Sequence, residues 1–157
     1  MSGSQPATLD RAGIAARIPH SGTMCLLDRV LQWNDGGIRC SASSHRDSAN
    51  PLRARGTLSS ACGIEYAAQA MAVHGALCAG TDGESAPRRG LLTSVRAVVL
   101  AVSRLDDVEG ELTVEAELLS GDGRTVLYAF SVGAGGSALV SGRAAVILDA
   151  EAFGTGA

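Results

Sequence analysis

Glu65 and Gln69 stand four residues apart in an alanine-rich stretch, residues 59–80 (SSACGIEYAAQAMAVHGALCAG), that is apolar almost all round. Four residues is about one helical turn, so the two side chains share a face and can hydrogen-bond. An ionised carboxylate in such surroundings is costly unless it is paired. Burial raises the pKa of a carboxyl and suits it to general acid or base work near neutral pH. A place in the first turns of a helix pulls the other way and favours the anion. The alternative is a carboxylate that is exposed or paired structurally with an arginine. His20, His45 and His74 are the only histidines. Each could carry a proton in a reaction or serve as a hydrogen-bonded structural group. Arg53, Arg55, Arg88 and Arg89 fall in two polar segments flanking the alanine-rich stretch. They read either as solvated surface or as a landing site for an acidic partner or a phosphate.

Other chemistries are excluded by what the chain lacks. Every one of its 13 basic residues is arginine, so a Schiff-base lysine and a P-loop lysine are ruled out. Cys25, Cys40, Cys62 and Cys78 are spaced 15, 22 and 16 apart, a pattern that fits neither a zinc site nor a disulfide framework and predicts reduced, mostly buried thiols. No G-x-S-x-G segment is present to seat a nucleophilic serine.

The elements that must position these residues follow from periodicity and punctuation. Asp10 can cap a short helix over 11–18, ended by Pro19. Residues 25–33 and 38–44 flank an Asn-Asp-Gly-Gly turn and predict a β-hairpin. Residues 45–58 and 81–90 lack periodicity and are loops. Between them, 59–80 is a helix capped by Ser59 or Ser60 and ended by Gly80. Residues 91–105, 111–119, 125–132 and 138–148 then predict four strands separated by glycine-rich turns. One long buried helix must be wrapped by something, and a curved antiparallel sheet of five or six strands would do so, which makes the fold α+β.

Size and composition agree. The chain has 157 residues, 46% of them hydrophobic, enough for one domain with a real core, expected over 11–149 with loose termini at 1–10 and 150–157. A net charge of −3 argues against general nucleic-acid binding. No apolar run reaches the length of a membrane span, and residues 1–10 lack the basic and apolar regions of a secretory signal. A cytoplasmic protein is expected.

Two segments resemble a known family. Pro19-His20 followed by Met24-Cys25-Leu26-Leu27-Asp28-Arg29-Val30 is similar to the P-H-x-x-P-x-L-L-V-D-R-V opening of the 3-hydroxyacyl-acyl-carrier-protein dehydratases. Gly63-Ile64-Glu65-Tyr66-Ala67-Ala68-Gln69 resembles their helix motif, an acid followed four residues later by glutamine. The wording is most similar to the dehydratase-like subunits of aryl-polyene pigment clusters, and the likeness runs from about residue 18 to residue 148. It implies a hotdog fold and a lyase that eliminates water from a 3-hydroxyacyl thioester in a fatty-acid, polyketide or aryl-polyene pathway. The substrate would ride on the phosphopantetheine arm of an acyl carrier protein, with no bound cofactor and no metal. Glu65 would be the acid and Gln69 its companion amide, and His20 would belong to the opening motif. The arginines at 53, 55, 88 and 89 would steer the acidic carrier.

One departure matters. The family's catalytic histidine lies fourteen residues before the acid, a count that lands on Pro51 within Asn50-Pro51-Leu52. In the family each site lies across a dimer interface, histidine from one chain and acid from the other. The resemblance therefore implies a heterodimer with a histidine-bearing hotdog subunit. A non-catalytic, acyl-binding partner and an acyl thioesterase are the alternatives.

Overall fold

The computed structural model describes residues 8–18, 22–79, 91–122 and 124–147. A short helix, α1 (Arg11–Ala15), is capped by Asp10, whose Oδ1 accepts from Gly13 N at 2.9 Å. The hairpin follows as β1 (Arg29–Asn34) and β2 (Gly37–Ala42), then the central helix α2 (Gly63–Cys78), then β3 (Leu91–Leu100), β4 (Leu112–Gly121), β5 (Thr125–Ala134) and β6 (Ser137–Ile147). The six strands form one antiparallel sheet in the order β1-β2-β4-β5-β6-β3. This is the expected α+β hotdog arrangement, with α2 packed against the inner faces of β2, β4 and β5. Among the described residues, no helix is long and apolar enough to cross a membrane.

Several boundaries differ from expectation: α1 stops at Ala15, where the bonding tightens and Arg17 N donates to Ile14 O, and not at residue 18. Residues 25–28 are not strand. Cys25, Leu26 and Leu27 are buried in succession, which an alternating strand cannot do with one face in solvent. β3 ends at Leu100 because the chain then turns to brace α2: Ser60 N donates to Ser103 O and Leu105 N to Leu58 O. The helix starts at Gly63, after a single 3-10 turn over Ser60–Cys62 that Ser59 caps by accepting from Ala61 N. Gly80, its expected stop, lies outside the described residues.

Alternation sets the two faces of the sheet. Val114, Ala116, Tyr128, Phe130, Val132, Val140 and Ala144 point inward and are buried, as does Val146. Against them α2 buries Tyr66, Ala67, Ala70, Met71 and Val73. Gly63 sits where β6 comes closest: a Cβ there would stand 3.0 Å from Val140 Cγ2. The helix is not wrapped all round in the single chain. Ile64, Ala68, Ala72, Gly75 and Ala76 are only half-buried and form a stripe of small apolar side chains, with Glu65 at its N-terminal end.

Candidate active site

Glu65 lies in the first turn of α2 and is exposed. The expected hydrogen bond to Gln69 does not form. Gln69 is buried on the sheet side and is occupied with backbone: its Oε1 accepts from Leu26 N at 2.9 Å and its Nε2 donates to Met24 O at 2.7 Å. The buried segment leading into β1 has no strand neighbour to satisfy those groups. An amide, with one donor and one acceptor face, fits them as water-facing Glu65 cannot. Gln69 thus fastens the opening motif to the helix motif, and the acid is exposed at the surface with no bond to another described residue.

Behind Glu65 runs a polar network that spacing alone did not reveal. The Tyr66 hydroxyl donates to Ser44 Oγ at 2.8 Å, and Ser44 Oγ donates to Leu26 O at 2.8 Å. Asn50 Nδ2 donates to the Tyr66 hydroxyl at 3.0 Å and to Ser44 O at 2.9 Å, while Asn50 Oδ1 accepts from Leu52 N at 2.8 Å. Burial pushes the Tyr66 hydroxyl up in pKa, so it stays a neutral donor. The Asn50-Pro51-Leu52 segment, where the resemblance calls for a histidine, therefore carries an amide saturated by internal bonds. Pro51 beside it is exposed. The one sequence signal was Asn50 itself, a turn-forming residue ahead of a proline. Its pairing with Tyr66 is a long-range contact that no local pattern encodes.

The histidines divide. His45 is fully buried in the 3-10 turn Ser44–Arg46, with Nε2 3.1 Å from Val108 O. Burial lowers its pKa. With no exposed surface it cannot meet a substrate as base. His74 is buried in the second half of α2 between Tyr128, whose hydroxyl lies 2.7 Å from Nδ1, and Asn34 O, 2.8 Å from Nε2. It pins the helix to the hairpin and to β5. His20 lies outside the described residues.

The arginines divide as well. Arg53 is turned into its own loop, donating from Nη1 to Gly56 O at 3.1 Å and from Nη2 to His45 O at 3.2 Å. Arg55 is exposed at a left-handed turn position with φ 55°. Arg88 and Arg89 lie outside the described residues. The four cysteines are free, with Cys25 and Cys40 buried, Cys62 half-buried and Cys78 exposed, so burial is less general than composition suggested. Among the described residues no group of histidine, cysteine or acidic side chains could hold a metal ion.

A family model described as ApeP-like, ApeP dehydratase, matches residues 12–153. Among solved structures, the dehydratase heterocomplex ApeI:P from Xenorhabdus doucetiae is 26% identical, with a TM-score of 0.71 over 86% of this chain and 90% of that chain. A glutamine-to-alanine mutant of a Staphylococcus aureus thioesterase shares the fold at 16% identity, TM-score 0.57, over 76% of this chain and 91% of that one. A similar mutant thioesterase from Pseudomonas aeruginosa gives 15% identity and a TM-score of 0.56, over 77% and 80%. No curated protein matched.

Proposed function

Since the chain belongs to the ApeP-like dehydratase family, we propose that it supplies the acid, and a second hotdog subunit the base, of one 3-hydroxyacyl thioester dehydratase site. The chain is a dehydratase subunit; the division of labour is our reading. What carries it is the pairing of an exposed, uncommitted Glu65 with an Asn50-Pro51-Leu52 segment whose only buried polar side chain is saturated.

Elimination needs two proton transfers. A base removes the proton on C2, and an acid protonates the departing hydroxyl on C3, leaving a 2,3-unsaturated thioester and water. Glu65 is suited to the second task. At the start of α2 it is exposed, with no bond to another described residue, so a substrate held under a covering subunit can reach it. The first task is assigned to a histidine of the second subunit: of the histidines among the described residues, His45 is sealed in the core and His74 is fixed by Tyr128 and Asn34.

Two surfaces support a covering subunit. β3 is an edge strand with one neighbour, and it exposes Leu91, Val98, Val99 and Leu100, the third of these by 58%. Open apolar edges of this kind invite another strand. The second is the half-buried stripe of α2, with Glu65 at its N-terminal end. The occupant is proposed to be a homologous hotdog chain, as in the similar ApeI:P heterocomplex. The substrate is proposed to ride on an acyl carrier protein, in an aryl-polyene type pathway, with no cofactor beyond that carrier's phosphopantetheine arm. The rival activity, thioester hydrolysis, has only the shared fold of the thioesterases behind it.

Reconstitution tests the proposal. A 3-hydroxyacyl-carrier substrate is followed by the absorbance of the unsaturated thioester, first with this chain alone and then with a histidine-bearing subunit added. Turnover only in the mixture is the expected result. Robust turnover by the chain alone would refute it, as would release of free thiol in place of unsaturation.

A further inference from the structure

The face of the sheet turned away from α2 carries one unbroken row of paired residues. Gly37, Glu117, Ala129, Arg143 and Arg96 stand opposite one another in turn on β2, β4, β5, β6 and β3. Alternation puts the charged members outside, since Ala116 and Ala144, their neighbours in sequence, are buried within. Glu117, Arg143 and Arg96 are all exposed. Arg96 and Arg143 are like charges placed directly opposite, which is destabilising. Glu117 is the carboxylate of the row, but Ala129 separates it from Arg143, two strands or about 10 Å away. Among the described residues none of the three forms an ion pair. The next row on this face is settled: Arg39 Nε meets Glu115 Oε2 at 2.9 Å.

The row is self-complementary. A two-fold axis running along β5 lays a second copy face to face on the first and exchanges β4 with β6. Glu117 of each copy then lies over Arg143 of the other, and the two Ala129 residues meet on the axis. Sheets stacked face to face lie about 10 Å apart and about 30° from parallel. One strand from the axis, about 5 Å, that rotation displaces the partners by only about 2.5 Å. The combined reach of an arginine and a glutamate covers it. The relief of the surface agrees. Between the hairpin and β5 lies a depression of about 570 Å³, floored by Ala129 and Ser131 and walled by Arg39, Glu115 and Glu117. On the other side of β5 the two exposed arginines stand next to each other. The same rotation brings the arginines of one copy over the depression of the other. Arg96 then lies over Gly37, where no side chain intrudes. Two residues along β5, Leu127 is 40% exposed on this face and meets its own counterpart on the axis.

We propose that this face is an isologous docking surface for a second copy of the chain, held by two symmetry-related Glu117–Arg143 ion pairs about a centre of small side chains. Each pair also offsets the repulsion between Arg143 and Arg96. The contact leaves the β3 edge and the stripe of α2 to the histidine-bearing subunit, so two such complexes join back to back. The inference stands on register, charge and surface relief, and needs nothing from the proposed function.

Charge exchange tests the surface, with sedimentation velocity of the purified full chain over a concentration series as the readout. Glu117→Arg alone, or Arg143→Glu alone, sets like charges against each other at two symmetric points. Each should weaken self-association by about tenfold or more. The variant carrying both substitutions rebuilds the two ion pairs with their signs exchanged and should associate as wild type does. Wild-type association should weaken as salt is raised. Both positions are exposed, so every variant should melt no lower than wild type, which separates a lost contact from a lost fold. A double variant as weak as the single ones would overturn the proposal, because restoration requires that the two residues face each other across the axis. A wild-type chain that stays monomeric throughout would overturn it too. Single variants that associate like wild type would likewise overturn it and leave this face to an unlike partner.

Discussion

Asn50 donates its side-chain amide to the Tyr66 hydroxyl at 3.0 Å, one residue along α2 from Glu65. The bond joins the loop where a base would be sought to the helix that carries the acid, and it fills that loop position with a group that neither gains nor loses a proton. Asn50 also closes on Ser44 O and Leu52 N, so both N–H groups of its amide are spent within the loop and its oxygen already accepts one bond. The loop braces the helix, and in the proposed function the acid is Glu65.

Tyr66→Phe should therefore lower stability without a catalytic signature. It removes one hydroxyl from a buried network, which costs about 1 kcal/mol. Denaturant unfolding should show that loss, and the turnover of the two-subunit complex should change by far less than on substitution of the acid. A loss of turnover as large as that of a Glu65 variant, at full folding, would place Tyr66 in the reaction.

Glu65→Gln keeps the volume and removes the transferable proton. Turnover of the assembled enzyme should fall by about 10²–10⁴, the usual worth of a positioned general acid. The Tm should be unchanged, because the side chain is exposed and makes no bond among the described residues. Retention of most of the activity would make the carboxylate structural.

Gln69→Leu should be the more damaging change for folding. It strands Leu26 N and Met24 O, both satisfied only through this side chain, and a buried polar group left without a partner costs about 1–3 kcal/mol. Gln69→Glu should fail as well, since an ionised carboxylate cannot donate to Met24 O. Urea titration of the two variants checks both statements; wild-type stability in either would contradict the bonding described.

The sequence made some of this legible and hid the rest, for reasons that differ by residue. The helix around Glu65, the Asp10 cap and the hairpin turn are local: propensity, a side-chain oxygen three residues from an N–H, and two glycines suffice to specify them. A curved sheet of five or six strands follows from a single long apolar helix that needs a cover, and six are present. Gln69 was placed on the right helix but given the wrong partner, because its groups Met24 O and Leu26 N are more than forty residues away. Arg53 looked like surface charge, and it is bound to carbonyl groups of its own loop, which composition cannot foretell.

Acid should weaken the fold through the two described histidines. Burial lowers the pKa of both His45 and His74 below the ordinary 6.5. In that case the unfolded chain binds more protons than the folded one once the pH drops below about 6.5, and stability falls as pH falls. Asp106, held well below the usual carboxylate range by Arg104 and the Leu58 N–H, and Asp122, lowered by the N–H groups of Thr125 and Arg124, lose their contribution only as pH falls below the ordinary 3.8 and leave this window alone. The Tm should thus drop between pH 7.5 and pH 5.5, and less steeply in His74→Gln. A Tm independent of pH over that range would mean that neither histidine is held neutral.

The shared site is tested most directly by a double-mutant cycle across the two subunits. Turnover is measured for the wild-type complex, for Glu65→Gln in this chain, for alanine at the second subunit's catalytic histidine, and for both together. An acid and a base of one site act as a unit, so the double variant should be no slower than the worse single variant. Losses that multiply would contradict the account, for they would mean that Glu65 and the second subunit's histidine work independently.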